Sequence, residues 1–295
     1  MRTRIRHLAI LSDRAPQLAR FYQKVFGMNA GNAEVRRTAL LGDGYLGLNI
    51  NPGGIGKKLG LNHWGFEVDD IAEVQARLRE RYPRVETVTR PSNRPFAGTS
   101  THDPEGNIFD LSGTSATRRS VYENVGERNA RHVSHFMVPA MDAPALADFY
   151  RDVYELRELP KADGDSNFYF TDGEVTMIIS QWAISNYGVG GLDGKPAIDY
   201  IGFHVESMDH FLSDVDQLCE DDPTLAPRRR IEELSGGVPR PRGYQPTPDM
   251  DEATVARLAE SYSEALNRLR VFQKAAIGQY QFADPDGVPI DVTDR

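Results

Sequence analysis

Apolar residues in the first fifty positions follow the period of a strand, then of a helix, then of strands again. Residues 5–11 form a short apolar run with the length of a buried strand. Apolar side chains then recur at the three- and four-residue spacing of one helical face: Leu18, Phe21, Tyr22, Val25 and Phe26. Gly27 is placed to end this helix. Residues 35–41 and 45–50 flank a Gly-Asp-Gly turn, which predicts a hairpin.

The same order of elements begins again at residue 61. Residues 61–68 predict a strand, and a helix follows whose apolar face consists of Ile71, Val74 and Leu78. Three further strands are predicted at 85–89, 98–102 and 107–112, with a DPEG turn before the last of them. Residues 1–113 therefore predict two strand–helix–three-strand units in tandem, which is an α+β arrangement.

The second half of the chain repeats the first at a constant offset of 128 residues (135 − 7). His7 returns as His135 and Tyr22 as Tyr150, and the intervening apolar positions keep the same register. Further on, residues 199–205 (DYIGFHV) correspond to 62–68 (NHWGFEV). Such internal similarity predicts a duplicated architecture. We expect an N-terminal domain at 1–116, a polar linker at 117–131 and a C-terminal domain at 132–295.

One stretch of the second half has no counterpart in the first. It covers about 234–274, opens with a Gly/Pro-rich segment and continues with an amphipathic helical pattern from about 251 to 272. This helical insertion could act as a lid, a dimer arm or a patch over the sheet. The pattern does not decide among the three.

Composition narrows the classes of partner. Hydrophobic residues make up 40% and charged residues 26%, which is typical of a globular protein. The net charge of -9 argues against a nucleic-acid partner, which requires a basic face. There is a single cysteine, Cys219, no apolar run of membrane-spanning length and no signal-peptide pattern. We expect a cytoplasmic protein with a small-molecule substrate and no membrane association, and a homodimer stays an open alternative.

Candidate chemistry centres on the strand predicted at 61–68. His63, Gly65 and Glu67 share one face, and the apolar side chains take the other. His7 and Asp110 also lie on predicted strands. Taken singly, each could be structural, and Asp110 could be a surface carboxylate or a partner of Arg94. Two imidazoles and one carboxylate on one face can hold an octahedral metal ion with about three positions open.

Several segments resemble the vicinal oxygen chelate superfamily, which includes glyoxalase I, bleomycin-resistance proteins, fosfomycin-resistance enzymes and type I extradiol dioxygenases. In the first half these segments are RHLAIL, LARFYQKVFGM, LNHWGFEVDD and THDPEGNIFDLSG. In the second half they are VSHFMV, LADFYRDVYEL, DYIGFHVES and ADPDGVPIDVTD. The resemblance implies two tandem domains, each made of two βαβββ units that curl into a half-open barrel around a cavity.

The resemblance also implies where a metal would bind. The superfamily's ligands are a first-strand His, a fifth-strand His and an eighth-strand Glu, and these positions hold His7, His63 and Asp110 in the first domain. Asp is one methylene shorter than Glu. In the second domain the same positions hold His135, Tyr200 and Asp291. Tyrosine is an uncommon ligand, so the metal is expected in the first domain and the second set is expected only as substrate-pocket residues. Two-domain extradiol dioxygenases have the reverse arrangement.

Three further residues are candidates with two interpretations each. Asn49 lies near the position of a fourth ligand in glyoxalase-like members, and could instead contact substrate or water. Glu67 could be an acid near the site or a solvated strand-end residue. His102 could be a base in the pocket or could pack the adjacent turn. Under the first interpretation of each, Glu67 and His102 are candidate catalytic residues.

The function expected from the resemblance is metal-dependent chemistry on a substrate that chelates the ion through two adjacent oxygens. The leading prediction is a ring-cleaving dioxygenase of extradiol type with Fe(II), and Mn(II), Zn(II) or Ni(II) are alternatives. A glyoxalase-like lyase or isomerase is the second prediction. The third is a metal-free protein that binds a small molecule or confers resistance to it.

Overall fold

The computed structural model describes residues 1–31, 37–90, 98–114, 128–182, 195–227 and 277–295, together with 251 and 253. The predicted insertion at 234–274 lies outside the described residues except for those two positions. Residues 117–127 of the predicted linker lie outside them as well. No helix within the described ranges has both the length and the apolar character needed to cross a membrane.

The first domain contains the two predicted strand–helix–three-strand units. The first unit comprises β1 (Thr3–Ser12), α1 (Ala15–Phe26), β2 (Asn29–Ala30), β3 (Ala39–Gly42) and β4 (Gly47–Pro52). The second comprises β5 (Gly60–Val68), α2 (Ile71–Arg81), β6 (Thr87–Thr89), β7 (Thr99–His102) and β8 (Ile108–Gly113). They form one eight-stranded sheet in the order β2-β3-β4-β1-β5-β8-β7-β6. The central pair, β1 and β5, is antiparallel, and each runs parallel to its other neighbour, β4 or β8.

The second domain repeats this plan. Its first unit comprises β9 (His132–Ala140), α3 (Ala143–Tyr154), β10 (Arg157–Glu158), β11 (Phe168–Thr171) and β12 (Thr176–Gln181). Its second comprises β13 (Tyr200–His204), α4 (Met208–Asp221), β14 (Tyr280–Ala283) and β15 (Pro289–Thr293). The seven strands run β10-β11-β12-β9-β13-β15-β14, which matches the first sheet without a counterpart of β6 among the described residues. The predicted α+β fold with two tandem open sheets is confirmed.

An irregularity in β1 decides which of its side chains face the candidate site. Ile5 pairs with Phe66 and His7 with Gly65, so the register shifts at Arg6. This extra residue is a β-bulge, which reverses the alternation of faces. As a result, Arg4 and His7 lie on the same face although they are three residues apart. Strict alternation would place them on opposite faces.

The two domains share one hydrophobic core, to which each contributes a helix. The aromatic side chains of α1 reach across to the second sheet, where the Phe26 ring stacks on Phe203 with 3.7 Å between centroids. The aromatic side chains of α3 reach the first sheet in the same way, and Tyr154 lies 4.9 Å from Phe66. The apolar face of each sheet is therefore covered partly by the other domain, and one cluster contains buried residues of both.

Buried hydrogen bonds across the core come in reciprocal pairs. The Tyr22 hydroxyl donates to Asp284 at 2.9 Å, and its counterpart Tyr150 donates to Asp103 at 3.0 Å. Burial raises the pKa of Asp284 to about 6, although hydrogen bonds from the Val288 backbone and from Tyr22 oppose the shift. Because these carboxyl groups are buried, donors within the protein replace their water; Asp103 also accepts from the Asn107 side chain at 2.7 Å.

We expect Tyr22→Phe to lower the free energy of unfolding by about 1–3 kcal/mol, because the change removes the hydroxyl that donates to the buried Oδ2 of Asp284. Tyr150→Phe should lower it by less, because Nδ2 of Asn107 still donates to Oδ2 of Asp103 at 2.7 Å. Tyr154→Phe is the matched control. The Tyr154 hydroxyl is buried in the same aromatic cluster and makes no hydrogen bond within the described ranges. Urea unfolding of the three variants measures the difference. Equal losses in all three would show that the two Tyr–Asp hydrogen bonds do not stabilise the fold.

Candidate metal centre

Three adjacent strands bring His7, His63 and Asp110 together. Gly65 of β5 pairs with His7 on one side and with Asp110 on the other, so β1 and β8 each present a side chain beside it. His63 projects from β5 itself, two residues earlier. Its Nε2 atom lies 3.3 Å from Nε2 of His7 and 3.3 Å from Oδ2 of Asp110. Within the described residues, this is the one group of His, Cys, Asp or Glu side chains whose atoms converge within 4.8 Å.

The outward atom of each of these side chains is held by a neighbour. The Nδ1 atom of His63 is 2.8 Å from Oδ1 of Asn62, and His7 hydrogen-bonds to the backbone of Gly47. The second oxygen of Asp110 accepts a hydrogen bond from the Ser100 hydroxyl, which itself accepts one from Nε of Arg90. Partners of this kind fix the ring orientation and the tautomer of metal-ligating histidines.

Electrostatics favours the ligating forms of two of these groups. Burial, together with the neighbouring His63, lowers the pKa of His7 to about 3. Burial alone would raise the pKa of Asp110, but hydrogen bonding and charge from His63, with smaller effects of His7 and Ser100, lower it overall. At neutral pH His7 is therefore a neutral imidazole with an available lone pair, and Asp110 is a carboxylate.

The geometry fits a divalent transition metal. Two ligands about 2.1 Å from an ion and at right angles to each other are about 3.0 Å apart, and a tetrahedral angle increases this to about 3.4 Å. The two distances of 3.3 Å lie within this range. Access is from the His63 side, where the side chain is 21% exposed while His7 is buried. The arrangement offers ligands from one side and leaves the opposite side for substrate.

Asn49 and Glu67 lie on the same face of the sheet as the metal centre but differ in what surrounds them. Asn49 of β4 pairs with Ala9, which pairs in turn with His63, so β1 lies between the amide and His63. Glu67 is 1% exposed and accepts a hydrogen bond from Arg4 at 2.7 Å. The interpretation of Glu67 as a solvated residue is therefore wrong. Its carboxylate is held in a buried ion pair at the far end of β5.

His102 is held at the edge of the sheet by main-chain groups. Its Nε2 accepts a hydrogen bond from the Glu86 backbone at 3.1 Å, and its Nδ1 lies 2.8 Å from the carbonyl oxygen of Asp103. Because both ring nitrogens are occupied, the interpretation of His102 as a base in the pocket finds no support in this geometry. The ring packs the turn that precedes β8.

The corresponding place in the second domain is closed. Asp291 is fully buried and accepts hydrogen bonds from His135, from the Gln281 side chain and from the backbone of residues 277 and 278. Tyr200, at the position of His63, packs in a small apolar cluster with Met137 and Ile178. The strand registers place Ile178 where the first domain has Asn49. Packed side chains thus occupy the second site, and His135, Tyr200 and Asp291 do not line an open pocket among the described residues.

Alternation of faces in the sequence missed the groups that orient the ligands. Strict alternation along β5 would place Asn62 on the same face as Trp64, but a register shift beside His63 leaves Asn62 exposed and bonded to the His63 ring. Ser100 and Arg90 carried no signal in a single sequence, because a serine and an arginine on short strands are common everywhere. Their role follows from the pairing of Ser100 with Asp110 between β7 and β8.

Comparison with known proteins matches the first domain to one family model. Residues 4–111 match the family model of the glyoxalase/bleomycin resistance protein/dioxygenase superfamily. The first domain is therefore similar to that superfamily over the matched residues. None of the curated proteins compared with the chain matches it.

Solved structures resemble the whole chain at low sequence identity. A catechol 2,3-dioxygenase has a TM-score of 0.57 at 12% identity, covering 98% of this chain and 86% of that one. An extradiol ring-cleaving dioxygenase from B. fuscum has a TM-score of 0.54 at 14% identity, covering 98% and 70%. A Mn(II)-bound glyoxalase from Novosphingobium aromaticivorans has a TM-score of 0.54 at 15% identity, covering 74% and 71%. At these identities the comparisons establish the fold.

We expect Gly202→Ala to lower the free energy of unfolding by about 1–3 kcal/mol through overpacking. A Cβ atom at this position would lie 2.1–2.3 Å from three atoms of the His135 ring. Gly98→Ala is the control, since a Cβ there meets nothing within 4 Å. Thermal unfolding of a double-mutant cycle with His135→Ala provides the measurement. Strictly additive effects of the two changes would contradict the assignment of the cost to the His135 ring.

Proposed function

We propose that the protein is a metal-dependent enzyme whose first domain binds a divalent transition metal through His7, His63 and Asp110, and that it is a ring-cleaving dioxygenase of extradiol type. The observation that carries the proposal is the convergence of two Nε2 atoms and one carboxylate oxygen, each with its outward atom held by another group. Two histidines and one carboxylate on one side of an ion are the ligand set typical of non-haem Fe(II) oxygenases.

The chain's own residues would position the ion and the substrate. His7 and His63 offer neutral nitrogens, and Asp110 offers one negative charge. Asn62 and Ser100 hold His63 and Asp110 in place, so little reorganisation would be needed on binding. Asn49, on the same face, would hydrogen-bond to a substrate oxygen. A bound ferrous ion would supply the Lewis acidity and oxygen activation that cleavage of a catechol-like substrate requires.

A glyoxalase-like lyase or isomerase is the second candidate, and Asn49 favours it. An amide on β4, the strand beside β1, could complete a four-ligand set with Mn(II), Zn(II) or Ni(II). The likeness to a Mn(II)-bound glyoxalase is consistent with this candidate. The lone cysteine fits a reducing cytoplasm, the location we propose for either activity.

We expect protein purified without chelators to retain a transition metal near one equivalent, as measured by inductively coupled plasma mass spectrometry. His63→Ala should weaken metal affinity by more than the about 10–100-fold that follows loss of an outer-shell partner. His135→Ala, the counterpart in the second domain, and His210→Ala, on the exposed surface of α4, should bind metal normally. Circular dichroism checks that each variant is folded.

Two results would overturn the metal assignment. One is less than about a tenth of an equivalent of metal with no binding on titration, which would favour a metal-free binding protein. The other is loss of metal in His135→Ala with full retention in His63→Ala, which would move the site to the second domain.

We expect Fe(II)-loaded protein to consume oxygen with catechols and to form the yellow ring-cleaved product, and His63→Ala to lose this activity at least about 100-fold because one ligand is missing. An oxygen electrode and absorbance spectroscopy measure the two signals. Metal binding without oxygen uptake, together with turnover of a hemithioacetal by the Mn(II) or Ni(II) form, would replace the dioxygenase proposal with the glyoxalase one.

A further inference from the structure

Arg90 lies at the edge of the metal centre, and no carboxylate among the described residues pairs with it. It follows β6, and its backbone N–H donates to the carbonyl of Gly98 at 3.0 Å, which continues the β6–β7 pairing by one residue. Its Nε donates to the Ser100 hydroxyl at 2.9 Å. Across the described ranges its guanidinium forms no ion pair with a carboxylate. Arg4, by contrast, pairs with Glu67 on the same face.

The contact with Ser100 links this guanidinium to the metal centre. The Ser100 oxygen accepts from Arg90 and donates to Oδ1 of Asp110, whose other oxygen faces His63. One hydroxyl therefore separates the cation from a metal ligand. The bond from Nε orients the guanidinium, and its other four N–H donors form no hydrogen bond with the described residues.

Exposed apolar side chains share this face. Val88 pairs with Ser100, and Ser100 pairs with Asp110, so all three point to the same side. Ile108 lies on that side two residues before Asp110. Val88 is 52% exposed and Ile108 is 57% exposed, so both apolar side chains are accessible on this face. An apolar surface and a cation therefore border the metal centre together.

A guanidinium with a fixed plane and free donors matches the two oxygens of a carboxylate. A single positive charge balances a monoanion, whereas a phosphate dianion calls for more than one cation. We propose that Arg90 binds a carboxylate of the substrate, while Val88 and Ile108 contact its apolar body. Resting on the proposed function, this inference narrows the substrate class to carboxylated molecules with two adjacent chelating oxygens.

The test compares three probes on Mn(II)-loaded protein under nitrogen: 4-methylcatechol, 3,4-dihydroxybenzoate and 3,4-dihydroxyphenylacetate. The two acids place a carboxylate at different distances from the same diol. We expect at least one acid to bind about tenfold more tightly than 4-methylcatechol by isothermal titration calorimetry. Arg90→Gln should abolish this preference, measured within the variant as the ratio of each acid's affinity to that of 4-methylcatechol. Arg90→Lys should retain part of the preference, and Arg79→Gln, on the exposed surface of α2, should retain all of it.

Wild-type protein without any preference for the acids would overturn the inference, as would an Arg90→Gln variant that weakens all three probes equally. Failure of the proposed function is distinguishable, because it appears first as absent Mn(II) binding in wild-type protein. In that event benzoate titrated into metal-free protein reports on Arg90 through the NMR signal of its Nε–H. A shift that is lost in Arg90→Gln supports the carboxylate site, and no shift in wild type contradicts it.

Discussion

The antiparallel pairing of β1 with β5 is the constraint on which the metal centre depends. It sets Gly65 beside His7, and the parallel pairing of β5 with β8 sets Asp110 on the other side. The bulge at Arg6 then rotates His7 onto the face of His63 while Ile5 stays in the core. A one-residue change in register would send these ligands to opposite faces, since side chains alternate along a strand. Strand pairing therefore determines the positions of these three side chains.

The two domains share one fold but differ in the side chains at equivalent positions of their sheets. In the first domain, histidine and asparagine side chains surround an accessible place beside Asp110. In the second, Tyr200, Ile178 and Met137 fill the equivalent space, and Asp291 is satisfied by four donors. The domains therefore divide their work. One brings polar groups together beside Asp110, and the other packs apolar side chains into a small cluster separate from the shared core.

Periodicity predicted the fold, whereas the resemblance to a known superfamily predicted the convergence of His7, His63 and Asp110, because a bulge breaks the period beside His7. Helical and strand periodicity, doubled by the internal repeat, determined the order of elements, and the order determined which strands are neighbours. The errors arose where a single residue breaks the period. The shift beside His63 exposed Asn62, and backbone bonds engaged the His102 ring. Ser100 contacts Asp110 because β7 pairs with β8, and Arg90 contacts Ser100. The local sequence around each residue does not reveal these contacts.

The reciprocal contacts between the domains have a consequence for how the chain folds. Asp172 accepts from the backbone of Ile5, and Asp43 accepts from the backbone of Val133, so the turn of each half closes the bulged strand of the other. Each half also lends a helix to its neighbour's sheet. The smallest cooperative unit is therefore the pair, and neither half has a complete interior by itself. The halves meet as the subunits of a symmetric dimer do, with the chain connection replacing a concentration-dependent assembly step.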